Sequence, residues 1–142
     1  MWSDPLLSSI SPLWALTNTV ARKLKTPHAL RFPKPVISIG NIVAGGVGKT
    51  ELTAYIANRL CSQGKSVVIA SRGYGSATWE AQGGVAHRFE EALQRRFPDE
   101  AMVLLKKTKD KVSVTVGKNR VQVLSRYWQE LSPDVILLDD GF

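Results

Sequence analysis

One glycine-rich stretch constrains the fold more than any other part of the chain: residues 44–50, Ala-Gly-Gly-Val-Gly-Lys-Thr. It follows the apolar run Val36–Ile39 and precedes an amphipathic segment. A strand, a glycine-rich loop ending in Lys-Thr and a helix, in this order, are typical of a phosphate-binding loop and its flanking elements. Glycines let successive backbone N–H groups turn toward a polyphosphate, and the helix N-terminus adds its dipole. The stretch therefore predicts an α/β fold that binds a nucleoside triphosphate.

The loop matches a variant of the general GxxxxGK[ST] pattern, because Val43 holds the first glycine position and the doubled glycine fits GGxGKT instead. In such a loop Lys49 reaches the β- and γ-phosphates and the hydroxyl of Thr50 reaches Mg²⁺. A glycine turn without a ligand is the alternative. Arg72 fits either a phosphate contact or a surface position. The candidate nucleotide-binding residues are Val43, Ala44, Gly45, Gly46, Val47, Gly48, Lys49, Thr50 and Arg72.

The rest of the pattern predicts a P-loop NTPase-like, mostly parallel sheet flanked by helices and preceded by an N-terminal amphipathic helix. Strands are expected at 36–39, 66–70, 112–116 and 135–138, and helices at 49–62, 89–97, 100–107 and 119–130. Residues 76–89 are rich in Gly, Ala and polar side chains and are expected to form a loop. Four strands make a thin sheet, in which the last strand is expected to be a poorly covered end.

Acidic residues follow the last expected strand directly. Four apolar residues ending in Asp139-Asp140 are typical of a Walker B strand, which places a carboxylate beside the phosphate loop to hold Mg²⁺ directly or through water. A turn or helix cap is the alternative interpretation of these acids. Asp99 follows Pro98 at an expected helix start, where capping alone explains an acid.

The composition of the chain excludes only some classes of protein and partner. A chain of 142 residues is expected to form one domain, and its single cysteine, Cys61, excludes a disulfide framework and a cysteine-based zinc site and favours the cytosol. The net charge of +7 is compatible with nucleic acid, an anionic membrane or a phosphorylated substrate as partner. No apolar run approaches about 20 residues, so no transmembrane helix is expected.

Residues 1–34 are interpreted as an N-terminal arm and residues 35–142 as the nucleotide-binding domain. Within the arm, Ser11-Pro12 can start a helix that carries Leu13, Leu16, Val20 and Leu24 near one face, with Trp14 beside it and basic residues late. This pattern fits a helix lying on an anionic membrane surface. It fits equally a helix packed on the domain or on another part of a longer protein.

Three motifs together resemble the tetraacyldisaccharide 4'-kinase family of lipid A biosynthesis. They are residues 38–42 (Ser-Ile-Gly-Asn-Ile) leading into the glycine loop, 71–75 (Ser-Arg-Gly-Tyr-Gly) and 139–142 (Asp-Asp-Gly-Phe), in matching order and spacing. Asp99-Glu100 falls at the family's Gly-Asp-Glu-Pro motif, and residues 117–120 are similar to the segment before its next helix. The resemblance covers essentially the whole chain but only the N-terminal part of the family's usual length.

The resemblance implies ATP- and Mg²⁺-dependent phosphorylation of the 4'-hydroxyl of a tetraacyldisaccharide 1-phosphate. The protein would act peripherally, at the cytoplasmic face of the bacterial inner membrane. Its partners would be the lipid disaccharide phosphate and an anionic membrane surface, with no nucleic acid. Lys49 and Asp99 would be catalytic, the latter activating the sugar hydroxyl, and Thr50, Asp139 and Asp140 would serve the metal.

Several positions depart from the family pattern. Glu51 stands where the family has proline, Ser76 where it has glycine, and Pro98 and Ala101 flank Asp-Glu in place of Gly and Pro. The chain also ends at Phe142, before the Gln-His and the later histidine of the family. A catalytically inactive nucleotide-binding fragment is therefore an alternative to a kinase.

Two other classes of protein remain as alternatives. A membrane-recruited switch ATPase of the partitioning and division-site type shares the GGxGKT loop, but Ala44 replaces the lysine that these proteins carry before the two glycines. A basic nucleic-acid binder is supported by net charge alone, without a recognition motif.

Overall fold

The computed structural model describes residues 31–40 and 48–140. The arm residues 1–30, the loop residues 41–47 and residues 141–142 lie outside this part of the chain, as do the predicted N-terminal helix and the candidates Val43 to Val47. The strands are β1 (Val36–Ile39), β2 (Val67–Ser71), β3 (Gly84–Ala86), β4 (Ser113–Val116) and β5 (Val135–Asp139). The helices are α1 (Lys49–Ser62), α2 (Ala77–Gln82), α3 (Phe89–Gln94), α4 (Asp99–Thr108), α5 (Arg120–Arg126) and α6 (Trp128–Leu131).

The strands form one sheet in the order β1-β5-β2-β4-β3. Strands β1, β5, β2 and β4 run parallel, and only β3 pairs antiparallel, with β4. Parallel neighbours need crossover connections, which the intervening helices provide. This architecture confirms the predicted mostly parallel sheet flanked by helices.

Strand β5 lies inside the sheet, between β1 and β2, where Ile136 is in register with Val36 on one side and Val68 on the other. The expectation of a poorly covered last strand is therefore wrong. An almost wholly apolar strand requires cover on both faces, and Ile136 and Leu137 are both 0% exposed. Among the residues that the structure describes, β1 and β3 are the two ends of the sheet, and β1 is the one with exposed side chains.

Hydrophobic side chains cover both faces of the sheet. On one face Ala54 of α1 and Leu104 of α4 join Ile69 and Leu137 in the larger core cluster. On the other face Leu124 of α5 packs with strand residues such as Val68 and Ile136, and Phe32 stacks on Trp128 at 5.3 Å between ring centroids. Because β1, β5, β2 and β4 run parallel, their carboxyl ends lie at one edge of this covered sheet, where α/β folds bind their ligands.

Residues 76–89 are the second correction, because they contain α2 and β3 rather than a loop. Strand β3 is buried and pairs with Val114 to Val116 of β4. The indole of Trp79 lies 4.4 Å from the ring of Phe97 and donates a hydrogen bond to the carbonyl of Arg96 at 2.8 Å. Pairing and packing with residues distant in sequence therefore override the local turn-like composition.

The predicted helix at 119–130 is divided into α5 and α6 at Tyr127. The side chain of Asn119 caps α5 by accepting from the backbone N–H of Gln122 at 3.1 Å. The helical region itself is as predicted.

Gly83 closes α2 and is expected to tolerate no side chain. Its φ of +65° is left-handed, and a Cβ there would clash with Cγ2 of Val123 and lie 3.3 Å from the carbonyl oxygen of Val116. Gly83→Ala should therefore lower the free energy of unfolding by about 2–4 kcal/mol in urea titrations. Gly64→Ala is the matched control, because Gly64 has φ +78° but no atom within 4 Å of the position that a Cβ would take, so only about 1 kcal/mol of backbone strain is expected. Equal losses in the two variants would contradict the packing argument.

Candidate nucleotide-binding site

The candidate site lies at the carboxyl ends of β1 and β5. Gly48, with φ +106°, directly precedes α1, so Lys49 and Thr50 occupy the first turn of that helix. Asp139 is the last residue of β5, and Asp140 follows it. Since β1 and β5 are parallel neighbours, their following residues meet at the same edge of the sheet.

The two predicted motifs, the glycine loop and the Asp139-Asp140 pair, are in contact through Lys49 and Asp140. The Nζ of Lys49 lies 2.6 Å from Oδ1 of Asp140, although 91 residues separate them in sequence. This hydrogen bond, more than any other interaction, raises the pKa of Lys49, so the ammonium group is firmly charged. The fold thus places a lysine cation and a strand-end carboxylate together, as the sequence motifs predict.

Asp139 is buried at 4% exposure, and its Oδ1 accepts a hydrogen bond from the hydroxyl of Thr53 at 2.9 Å. Burial raises the pKa of Asp139, while the bond from Thr53 acts in the opposite direction. Thr53 was not among the sequence candidates. Its only sequence signal is its position four residues after Lys49, on the same side of α1.

Arg120 holds the turn that carries the two aspartates. Its guanidinium NH1 donates to the backbone carbonyls of Asp139 at 3.0 Å and Asp140 at 2.9 Å. Asp140 has φ +54°, a left-handed conformation that costs energy in a residue with a side chain. Burial and the nearby charge of Arg72 lower the pKa of Arg120. We infer that the two hydrogen bonds stabilise the conformation that directs Asp140 toward Lys49.

Arg120→Gln should therefore lower the free energy of unfolding by about 1–3 kcal/mol, since two carbonyls lose a charged donor. It should also weaken the stabilisation of the chain by added ATP, because the Asp139–Asp140 turn loses its support. Arg126→Gln is the matched control. Arg126, like Arg120, donates through NH1 to a backbone carbonyl, but it has one such acceptor, Gln82, and lies at an exposed position away from the aspartates. The melting temperatures of the two variants are to be measured with and without ATP. Equal changes in the two variants would contradict the proposal that Arg120 supports the Asp139–Asp140 turn.

Asp99 and Glu100 start α4 and line an open groove of about 580 Å³. Tyr74, Phe97 and Met102 also contribute to its wall. Burial raises the pKa of Glu100, and the charges of Asp139 and Asp140 raise it further against the opposing charge of Lys49. Glu100, which sequence reasoning passed over in favour of Asp99, is thus the acid coupled electrostatically to the strand-end carboxylates.

Arg72 lies half-buried after β2, with its guanidinium carbon 5.1 Å from the ring centroid of Tyr74. Its charge is close enough to contribute to the lowered pKa of Arg120. The two arginines therefore form a basic pair beside the acidic Asp139–Asp140 turn. An anionic ligand at this edge of the sheet would meet both positive groups.

A parallel sheet with Gly48-Lys49-Thr50 after one strand and Asp139-Asp140 after the adjacent strand is the arrangement of P-loop nucleotide-binding proteins. A sequence model of one kinase family, described as tetraacyldisaccharide-1-P 4'-kinase, matches residues 3–142. The chain belongs to this family.

Individual relatives support the same assignment. The chain is 34% identical over 140 residues to a tetraacyldisaccharide 4'-kinase of Pelobacter propionicus, covering 96% of this chain and 39% of the relative. It is 35% identical over 122 residues to the Geobacter sulfurreducens enzyme of that name, covering 86% and 34% of the two chains. The crystal structure of LpxK from Aquifex aeolicus in complex with ATP superposes with a TM-score of 0.64 at 31% identity, covering 96% of this chain and 44% of that one. The chain thus spans less than half the length of these relatives.

Proposed function

We propose that this chain forms the nucleotide-binding part of a kinase that transfers the γ-phosphoryl group of ATP to the 4'-hydroxyl of a tetraacyldisaccharide 1-phosphate. The observation that carries the proposal is the 2.6 Å contact between Lys49 and Asp140 beside the buried Asp139. The Aquifex aeolicus relative, which shares this fold, was crystallised with ATP.

The described residues suit a nucleotide with its cation. Lys49 and the backbone at the start of α1 would hold the phosphates, and Arg72 and Arg120 would add positive charge nearby. Asp139 fits a cation, because its carboxylate is buried and destabilised by burial, and a positive charge would relieve that cost. Thr50, Asp139 and Asp140 would hold Mg²⁺, which when bound neutralises charge on the transferring phosphoryl group.

The groove beside α4 is the proposed entry for the acceptor hydroxyl. Asp99 is exposed there, so its carboxylate is open to a substrate in the groove, whereas Glu100 responds to the Asp139–Asp140 charges. A general base has to come within hydrogen-bond reach of the proton that it accepts. We therefore assign proton removal to Asp99 and support of the carboxylate cluster to Glu100.

Transfer activity is best tested in a family-length chimera, in which this chain replaces the matching region of the Pelobacter propionicus relative. Incubation with γ-³²P-labelled ATP, Mg²⁺ and tetraacyldisaccharide 1-phosphate should yield a labelled lipid, with the unmodified relative as the positive control. ATP-dependent stabilisation without any transfer would favour the catalytically inactive nucleotide-binding fragment. ATP-dependent dimers or filaments without lipid phosphorylation would favour the switch ATPase.

Separate substitutions distinguish the roles of the two adjacent acids. In the chimera, Asp99→Asn should lower kcat by about 10²–10⁴-fold and leave ATP binding unchanged, because only the proton acceptor is lost. Glu100→Gln should instead alter the dependence of the rate on ATP and Mg²⁺ concentration. If Glu100→Gln alone removed kcat at saturating ATP and Mg²⁺, the base would be Glu100.

We further propose that residues 1–34 contact an anionic membrane surface, which would bring the site to its lipid substrate at the cytoplasmic face of the inner membrane. Trp14 and the late basic residues of the arm support this proposal. Across residues 31–40 and 48–140, no helix has the length and apolar character needed to span a bilayer. Co-sedimentation should be stronger with vesicles of phosphatidylglycerol than of phosphatidylcholine, and equal binding to both would contradict the electrostatic part of the proposal.

A further inference from the structure

Two consecutive arginines, Arg95 and Arg96, follow helix α3 and differ in their surroundings. NH1 of Arg95 donates to the carbonyl of Val85 at 2.6 Å and to Oε1 of Glu91 at 2.7 Å. The guanidinium carbon of Arg95 also lies 5.1 Å from the ring centroid of Trp79. The side chain of Arg95 is therefore occupied in joining α3 to β3 and to the aromatic side chains beside them.

Arg96 is exposed and lines the groove beside α4. No carboxylate within residues 31–40 and 48–140 forms an ion pair with its guanidinium group. Of the described residues that line the groove, Arg96 is the only basic one, while Asp99 and Glu100 are acidic. The groove thus contains one guanidinium group whose donors are open to a ligand.

The backbone of Arg96 adopts a conformation that favours glycine, with φ +53°. Its N–H donates to the carbonyl of Leu93 at 3.1 Å, and the N–H of Phe97 donates to that of Ala92 at 2.9 Å. These are the two hydrogen bonds with which many helices end at a left-handed glycine. An arginine at this position has backbone strain that a glycine would lack. The end of α3 therefore does not explain the side chain of Arg96, which points to a role outside folding.

Buried neighbours fix the position of Arg96. The ring of Phe97 is 2% exposed and lies 4.4 Å from that of Trp79, whose indole N–H donates to the carbonyl of Arg96 at 2.8 Å. Pro98 is buried as well, and α4 begins at Asp99. The backbone of Arg96 is thus held three residues before the proposed proton acceptor, at the same groove.

The proposed acceptor carries a charged group as well as its reacting hydroxyl. The 4'-hydroxyl is on one sugar of the disaccharide, and the 1-phosphate is on the other. Arginine suits a phosphate because its planar guanidinium group donates two parallel charged hydrogen bonds. The carboxylates of Asp99 and Glu100 would repel a phosphate, so Arg96 is the groove residue with the charge and geometry to bind it.

We propose that Arg96 binds the 1-phosphate of the acceptor and thereby directs the 4'-hydroxyl toward Asp99. This inference rests on the proposed function, since the phosphate is that of the proposed acceptor. The phosphate takes no part in the reaction, so the contact with Arg96 contributes to the affinity for the acceptor and not to proton removal.

Acceptor binding without ATP tests the contact independently of phosphoryl transfer. Titration calorimetry in neutral detergent micelles compares tetraacyldisaccharide 1-phosphate with the same disaccharide lacking the phosphate, in the family-length chimera and in its Arg96→Gln variant. The variant should bind the phosphorylated acceptor about 10–100-fold more weakly, because a charge-assisted contact is lost. Its affinity for the unphosphorylated acceptor should equal that of the parent chimera.

The outcomes of this experiment separate the inference from the proposed function. An equal loss of affinity for both acceptors, or for neither, would overturn the role of Arg96 even if the chimera is an active kinase. The expected pattern in a chimera that transfers no phosphate would support Arg96 and contradict the kinase. A parent chimera that binds neither acceptor, where the unmodified Pelobacter propionicus relative binds the phosphorylated one, would overturn both.

Arg96→Gly separates binding from folding. Because glycine suits φ +53°, the melting temperature of the isolated chain should stay the same or rise, while the affinity of the chimera for the phosphorylated acceptor should fall as in Arg96→Gln. A fall in both would show that Arg96 supports the fold, which contradicts the proposal. Arg88→Gln is the control, because Arg88 is an exposed arginine at the other end of α3 and does not line the groove. This variant should bind both acceptors like the parent.

Other phosphates that could contact Arg96 are those of membrane lipids and of ATP. Binding of phosphatidylglycerol vesicles and the ATP-dependent rise in melting temperature should therefore both be unchanged in Arg96→Gln. Weaker vesicle binding with unchanged acceptor affinity in micelles would assign Arg96 to the membrane surface instead. Loss of the response to ATP with unchanged acceptor affinity would assign it to the nucleotide.

Discussion

Replacing Lys49 with alanine should lower kcat of the family-length chimera by about 10²–10³-fold and remove the ATP-dependent rise in melting temperature. The expected loss is large because Lys49 is the lysine of the predicted phosphate loop and lies 2.6 Å from Asp140, at the edge where β1 and β5 end. Its ammonium group would be the main positive charge on the β- and γ-phosphates. Radiolabel transfer and thermal unfolding with and without ATP measure the two effects.

Lys107→Ala is the control for this substitution. Lys107 also lies 2.6 Å from a carboxylate, that of Glu51, but this pair is on the outer surface of α1 and α4. An exposed ion pair contributes only about 0–1 kcal/mol to the free energy of unfolding. The activity of this variant and its rise in melting temperature with ATP should therefore stay near those of the parent chimera. Full activity of Lys49→Ala would contradict the assignment of the loop, and equal damage by both variants would indicate a general effect of lost charge.

Asp139→Asn should have opposite effects on stability and on activity. At neutral pH the melting temperature of the nucleotide-free chain should rise by about 2–5 °C, because the variant no longer buries a carboxylate charge. Asparagine keeps an oxygen that can accept from Thr53, so the hydrogen bond of 2.9 Å can persist. Phosphoryl transfer in the chimera should fall by about 10²-fold or more, because the candidate cation site loses its buried charge.

The stabilisation of the chain by Asp139→Asn should depend on pH. The folded-state pKa of Asp139 is raised above the ordinary value of 3.8 for an aspartate. The protonated form is thus favoured in the folded state, and its stabilising effect is lost as the pH rises through the folded-state pKa. The gain in melting temperature on Asp139→Asn should therefore be small below about pH 3.9 and increase as the pH rises toward neutrality.

Asp140→Asn is the control for the aspartate pair. Asp140 is more exposed and pairs with Lys49, so the variant loses an ion pair and should not be stabilised at neutral pH. A destabilised Asp139→Asn chain would show that the interactions of the Asp139 charge with Lys49 and Arg120 exceed the cost of its burial.

Strong local patterns predicted most of the secondary structure. Strands β1, β2 and β5 are short apolar runs, and α1 has apolar residues at helical spacing after a glycine loop, so neighbouring residues carry the information. Strand β3 was missed, because Gly84–Ala86 becomes a strand only through pairing with β4. The position of β5 was missed for the same reason, since the order of strands is decided by contacts across the whole sheet.

The candidate site shows the same division between local and distant information. Lys49, Asp139 and Asp140 were predicted because the motifs carry characteristic residues at strand ends, and the roles assigned to them and to Asp99 stay predictions for the experiments above. Thr53, Arg120 and Glu100 were not assigned roles, because their importance comes from a hydrogen bond to Asp139, two bonds to backbone carbonyls and a shared electrostatic environment. Partners distant in sequence leave no local pattern.

The sequence by itself therefore determined the family, the parallel α/β class and the two motifs of the glycine loop and the Asp-Asp turn, since these depend on residue type, spacing and order along the chain. Only the tertiary structure decided that β5 lies inside the sheet, that Arg120 donates to the backbone of the Asp139–Asp140 turn and that β1, within the described part of the chain, is an end strand with exposed apolar side chains. The physical reason is that burial, hydrogen-bond partners and strand neighbours are set by packing among residues far apart in the chain, whereas helix and strand periodicity is set by neighbours.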